Sequence, residues 1–297
     1  MKRLLTGVAV IFSVHAITSF LVTFLPNAAS VALGILGGND ASIANYWESR
    51  DHVGYFDRSM QLMHADLGQT LDNTSVVNEL TMALAQTGPS LVIALCLAFL
   101  SAFWVLKARS AMREHIGTIS DTLSLLPPFI VPFIIAPVLF LTPFAGSSIA
   151  TQTAVVVSIT LPLAIMITAM LIRFYHETLN EKFFNKLALN GLSLSALHRI
   201  SRLNAWFRIL AVFDRIVVAG LVGILLAEPL FGVSGIGTLT ARAIRTSDPN
   251  LTVAISTAIA SVVIIAGLFG TVLRPLSSIL MSQQSRAPLT KRAKLSQ

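Results

Sequence analysis

The chain is short of charge and nearly without cysteine. Only 12% of its 297 residues are Asp, Glu, Lys or Arg, against 54% hydrophobic, and the mean hydropathy is +0.76. Soluble domains carry about 25% charged residues, so an ordinary water-exposed globular surface is excluded. Disorder fails for the same reason, because disordered chains are rich in charge and poor in apolar residues. One cysteine, Cys96, rules out a disulfide framework and any multi-cysteine zinc or iron–sulfur centre. The composition leaves an integral membrane protein, and apolar runs long enough for helical crossings make the expected fold all-α.

Catalytic signatures are missing too. No Gly-Lys dipeptide occurs, so there is no phosphate-binding loop of the Gly-x-x-x-x-Gly-Lys type. Neither His-Glu-x-x-His nor Gly-x-Ser-x-Gly is present. His15, His52, His64, His115, His176 and His198 show no ligand spacing. The chain is therefore expected to be no enzyme, to hold no metal or cofactor, and to hydrolyse no ATP itself.

Charges are costly in hydrocarbon, so uncharged runs mark the spans. Such runs hold 36 residues between Arg3 and Asp40, 27 between Glu79 and Lys107, 51 between Asp121 and Arg173, and 25 between Asp248 and Arg274. A crossing needs about 20 apolar residues, and the longest run has room for two. Six spans are expected, over residues 4–25, 90–106, 123–141, 153–172, 207–231 and 251–273. With the N-terminus inside, sixteen of the 21 Lys and Arg fall on inner segments. Outside fall Arg50, Arg58, Arg242 and Arg245, with Arg215 in a span. Positive residues are retained in the cytoplasm, so both termini are expected there. This accounts for the net charge of +7 without a nucleic-acid partner. The first apolar stretch exceeds the about 7–15 residues of a signal peptide, and no clear cleavage site follows Pro26. Residues 1–25 thus read as a retained transmembrane anchor.

Residues 26–89 form the largest outer segment, mildly acidic, with Tyr46, Trp47, Tyr55 and Phe56 suited to the membrane surface. Residues 90–281 form a five-helix core, and 282–297 a basic cytoplasmic tail. Pro127, Pro128, Pro132, Pro137 and Pro143 fall within 17 residues around the third span. Each removes a backbone donor and disturbs the preceding turn. Such broken helices line paths in transporters, although a kink can also serve packing alone. The inner loop 173–208 carries a helical pattern over 181–190, a break at Gly191-Leu192-Ser193, and a second helix over 194–203. A helix of this kind lies on lipid or inserts into a partner's groove. Asp214 and Arg215 sit in the sixth span or at its inner edge, and Glu228 lies near its outer end.

Several segments resemble the permease subunits of binding-protein-dependent ABC importers of the dipeptide/oligopeptide/nickel type. His64-Ala65-Asp66-Leu67-Gly68 is similar to the family's outer Asp-hydrophobic-Gly segment, and Leu126-Pro127-Pro128-Phe129 to its Pro-x-Phe. Leu161-Pro162-Leu163-Ala164 and Glu177–Phe183 lead into Gly191-Leu192-Ser193 with family-like spacing. Glu228-Pro229-Leu230-Phe231-Gly232-Val233-Ser234-Gly235-Ile236-Gly237 resembles its Glu-x-x-Phe-x-x-Pro-Gly-x-Gly motif. The likeness runs through nearly the whole chain, densest from Leu80 to Leu280. Three places depart from it. Asn185-Lys186-Leu187 stands where Glu-Ala-Ala is usual, Phe207-Arg208 where Leu-Pro closes the loop, and Ser234 where proline is usual.

The resemblance implies a six-helix, type I importer-like fold in a bacterial inner membrane, with 26–89 periplasmic. It implies that Glu181, Phe184, Lys186, Leu187, Ala188, Gly191, Leu192 and Ser193 dock on a separate ATPase. Pro127, Pro128, Phe129, Pro132, Asp214, Glu228, Gly235 and Gly237 would line or gate the path. The implied partners are a second permease chain, two ABC ATPase subunits carrying ATP and magnesium, a periplasmic solute-binding protein and the lipid bilayer. The cargo class is a peptide-like or small cationic solute, a Sap-type permease being one form. The alternatives are a self-contained secondary transporter and a non-transporting membrane anchor.

Overall fold

The computed structural model describes residues 9–18, 67–70, 74–108, 110–123, 130–140, 147–180, 193–246, 248 and 250–271. Most of these residues are helical, with an isolated antiparallel bridge between Gln69 and Ser75. The helices are α1 (Ala9–Thr18), α2 (Val76–Lys107), α3 (Ser110–Leu123), α4 (Ile130–Phe140) and α5 (Ser148–Asn180). They continue with α6 (Leu194–Leu210), α7 (Phe213–Phe231), α8 (Ile236–Thr246) and α9 (Asn250–Thr271).

Among the described residues α2, α5 and α9 are long and apolar enough to cross a membrane. α6 and α7 together make a fourth candidate, bent by 58° where they meet. Over its described residues the protein is thus an all-helical, multi-pass membrane protein. α1 and α4 lie within the first and third expected spans, and over their described lengths each is too short to cross.

Boundaries differ from expectation in instructive ways. α2 begins at Val76, well before residue 90, and α5 runs to Asn180, past residue 172. α3 is a helix in the stretch between the second and third expected spans. The expected single helix over 207–231 is two, because α6 continues to Leu210 and the chain turns at Ala211-Val212. The expected helix over 181–190 lies outside the described residues.

Local chemistry sets the helix starts. Ser193 is the N-cap of α6, its Oγ accepting from the Ala196 N–H at 3.4 Å. Asp248 serves α9, its Oδ1 accepting from the Asn250 and Leu251 N–H groups at 3.0 and 3.2 Å. Burial then follows helical spacing. On α2 the residues Leu80, Ala83, Thr87, Leu91, Ala94, Ala98, Ala102 and Leu106 form a buried stripe. Val92, Ile93, Leu97, Leu100 and Trp104 lie on its exposed side, apolar as a lipid-facing surface requires.

The described residues group into two compact units. One unit holds α1, α4, α8 and residues 76–94, 148–159, 220–231 and 250–264. Its core is Val76, Leu80 and Ala83 of α2, Ile236, Leu239 and Ala243 of α8, and Leu251, Ala254 and Ile255 of α9. The other unit holds α3, α6 and residues 95–107, 160–180, 213–219 and 265–271. There Phe213 stacks on Phe99 and meets Phe269, with ring centroids 6.3 and 5.4 Å apart, while Trp206 contacts Phe99 and Phe103.

Candidate functional site

The first unit contains a closed hydrogen-bonded latch built on Glu228. α7 ends with the Val233 N–H donating to the Glu228 carbonyl at 2.9 Å. Gly232 between them has φ +69°, the left-handed closure that glycine adopts without a Cβ penalty. α8 starts three residues later, and a helix start leaves backbone donors without partners. Here three of them find one. The Gly235 N–H donates to Thr238 Oγ1 at 2.8 Å. The Ile236 N–H donates to Thr87 Oγ1 at 2.9 Å, and the Gly237 N–H to Glu228 Oε2 at 2.6 Å. Thr87 in turn donates to Glu228 Oε1 at 2.6 Å. Glu228 and Thr87 are 1% and 2% exposed, so this ring of bonds is sealed from outside. The carboxyl group also faces the positive end of the α8 dipole.

Two glycines make the geometry attainable. A Cβ on Gly235 would overlap the Glu228 carboxyl group. A Cβ on Gly237 would come within 2.9 Å of the Ile224 and Leu225 carbonyl oxygens. Farther along α8, Arg242 donates to Glu79 Oε2 at 2.5 Å, and Glu79 also accepts from Thr74. Thr87 thus meets the first residue of α8 and Glu79 a residue near its end, so α8 lies antiparallel along the first turns of α2. The Thr87 hydroxyl and the Glu228 carboxyl are taken up by each other and by the amides at the start of α8. The physical effect of the latch is to tie the end of α7 and the start of α8 to the first turns of α2.

In the second unit α6 is pinned to α5 through three side-chain pairs. Tyr175 Oη and His198 Nδ1 lie 2.6 Å apart with their rings stacked. Asn204 Nδ2 donates to Thr178 Oγ1 at 3.0 Å, both side chains buried. Arg208 pairs with Glu177 at 2.7 Å and lies over the Phe174 ring. A Cβ on Gly270 of α9 would meet the Leu210 and Ala211 carbonyl oxygens at 3.4 and 3.5 Å, so α9 packs directly on the bend after α6.

The expected site residues fare differently. Glu228, Gly235 and Gly237 come together. Asp214 lies half-buried in the first turn of α7, near Gly267. Pro132 is buried in the first turn of α4, where its missing N–H breaks no helical bond. Ser193 caps α6. Pro127, Pro128, Phe129, Glu181, Phe184, Lys186, Leu187, Ala188, Gly191 and Leu192 lie outside the described residues. Sequence reasoning missed Thr87, Glu79 and Arg242. Thr87 carried a signal, since it falls on the otherwise apolar buried stripe of α2, where a hydroxyl needs a partner. Among the described residues no cluster of His, Cys, Asp or Glu is suited to a metal ion. No family model matches this chain, and no curated protein matches it.

Proposed function

We propose that the chain is the permease subunit of an ATP-driven, binding-protein-dependent importer in a bacterial inner membrane. In this reading six spans cross the membrane with both termini cytoplasmic. The chain forms half of a path for a peptide-like or small cationic solute. Residues 181–193 dock on a separate ATPase, and a second permease chain completes the path. A periplasmic binding protein delivers cargo to the outer face.

The observation that carries the reading is the Glu228–Gly237 latch. Glu228 and Gly237, two residues that the family resemblance singles out, bond directly at 2.6 Å, and Thr87, which it does not single out, closes the ring at 2.6 and 2.9 Å. A force-transmitting subunit needs such rigid couplings. A push on the docking loop would enter α6 at Ser193 and reach α5 through Tyr175, Thr178 and Glu177. It would pass the bend into α7, and Glu228 would hand it to α8 and α2. The mechanism is mechanical, with ATP chemistry on the partner.

The test is co-purification. Tagged chain extracted in mild detergent should carry a nucleotide-hydrolysing subunit. Gly191→Pro, or deletion of residues 187–192, should abolish that association and leave membrane insertion intact. Unchanged association would remove the docking assignment, and a wild-type chain without an ATPase partner would sink the whole reading.

A further inference from the structure

The second unit contains a groove that the transport reading leaves unused. It lies between the last turns of α2 and one face of α6 and has a volume of about 600 Å³. Its apolar wall comes from Phe103, Leu106, Leu203 and Trp206. Three cations stand around it: Lys107, the last residue of α2, and Arg199 and Arg202 of α6. Arg199, Arg202, Leu203 and Trp206 follow i, i+3, i+4, i+7 spacing, so they share one helix face. Among the described residues the ion pairs are made by Arg173, Arg208 and Arg242, and no carboxylate answers these three cations. Lys107 sits over the Phe103 ring at 4.3 Å, with its charge still unneutralised.

An apolar trough with positive charge at its mouth, placed where a membrane-crossing helix ends, complements a molecule that is apolar along its length and anionic at its head. We propose that this groove binds one anionic phospholipid. Its phosphate sits among Arg199, Arg202 and Lys107, and an acyl chain runs along Phe103, Leu203 and Trp206. Arginine suits the task, since its planar fork grips phosphate oxygens in pairs. Basic pockets between helices at the membrane edge hold anionic headgroups on the same physical grounds. Trp104, 67% exposed on the neighbouring turn, fits the headgroup level where amphipathic rings settle. Free phosphate would leave the apolar wall bare. A zwitterionic lipid would bring its own ammonium against three cations. The bound lipid would bridge α2 and α6. The inference needs α2 to span a membrane and nothing of the importer reading.

The experiment uses the full chain with Trp47→Phe and Trp104→Phe, which leaves Trp206 as its tryptophan, reconstituted in nanodiscs. Brominated phosphatidylglycerol and brominated phosphatidylethanolamine are compared as quenchers, each diluted in unbrominated lipid. Phosphatidylglycerol should quench Trp206 at much lower mole fraction. Arg199→Gln with Arg202→Gln should weaken that preference roughly thirty-fold, at about 1 kcal/mol per lost cation. Arg199→Lys with Arg202→Lys should retain the preference, and it checks folding of the doubly substituted helix. Equal quenching by the two lipids in the unsubstituted groove overturns the proposal without reference to any arginine variant. A preference that survives the glutamine pair also overturns it. Inorganic phosphate that abolishes the phosphatidylglycerol preference in competition would make the groove a free-phosphate site and overturn the lipid assignment. None of these outcomes turns on ATPase association.

Discussion

Both compact units bury polar side chains, and they satisfy them in different ways. In the unit around α8 the sealed polar group is a carboxyl, and its two oxygens accept from different elements, Thr87 on α2 and Gly237 on α8. In the unit around α6 the buried pair is neutral, Asn204 on Thr178. The charged partners there, Arg208 with Glu177 and Arg173 with Asp121, stay substantially exposed. The difference is one of replaceability. A neutral pair can be exchanged for two apolar side chains of similar shape at little cost, because both partners leave together. Glu228 cannot be removed that way, because one of its donors is a backbone amide that no substitution deletes.

The largest effect should therefore come from Glu228→Ala. It orphans the buried Gly237 N–H and leaves the Thr87 hydroxyl to find another acceptor, at about 1–3 kcal/mol for each unsatisfied group. A loss of about 2–4 kcal/mol in unfolding free energy is expected, measured by denaturant titration in mixed micelles. Glu228→Gln keeps an acceptor for Gly237 and should lose less than half as much. A Glu228→Ala chain as stable as the parent would show that the latch does not hold α8.

The neutral pair should respond more weakly. Thr178→Val and Asn204→Leu each break one buried bond, and the double substitution removes both partners. Their coupling energy in a double-mutant cycle should be about 0.6 kcal/mol and no more than about 1.7, the range found for hydrogen bonds between membrane helices. The double variant should be more stable than the worse single one. If the coupling instead equals that of a Thr87→Val, Glu228→Ala cycle, the contrast between the two units disappears.

Much of this was legible in the residues. The charge-free runs locate α2, α5 and α9, because a span must exclude charge whatever it packs against. Glu228, Gly235 and Gly237 stood out as a group, although only their placement shows why: one glycine makes room for the carboxyl, the other for two carbonyl oxygens. The bend at Ala211-Val212 was not legible. Neither proline nor glycine lies between Ile209 and Phe213, and the break coincides with Gly270 of α9, far away in sequence, seating against the last carbonyls of α6. Local reading continues a helix there because the cause is tertiary. Thr87 could be flagged as a hydroxyl needing a partner, but its partners lie 141 and 149 positions away. The early start of α2 is hidden by Pro89, which reads as the end of the outer segment yet lies inside the helix, and by Glu79, which looks like the edge of a charge-free run until Arg242 is found beside it.

The smallest effect separates two ion pairs that look alike in a contact diagram. Arg173 and Asp121 are 3.9 Å apart with side chains 68% and 51% exposed, whereas Glu79, paired with Arg242, is 18% exposed. Water screens the first pair, and holding two long side chains in register costs entropy, so Arg173→Ala should change unfolding free energy by less than about 0.5 kcal/mol. Arg242→Ala leaves Glu79 half-sheltered with Thr74 as its remaining side-chain donor, and should cost about 1 kcal/mol. Raising the salt concentration should shrink any Arg173 effect toward zero and leave most of the Arg242 effect in place. Equal losses with equal salt dependence would mean that the Glu79 pair is as wet as the other, and that α8 is held to α2 by Thr87 and the apolar cluster alone.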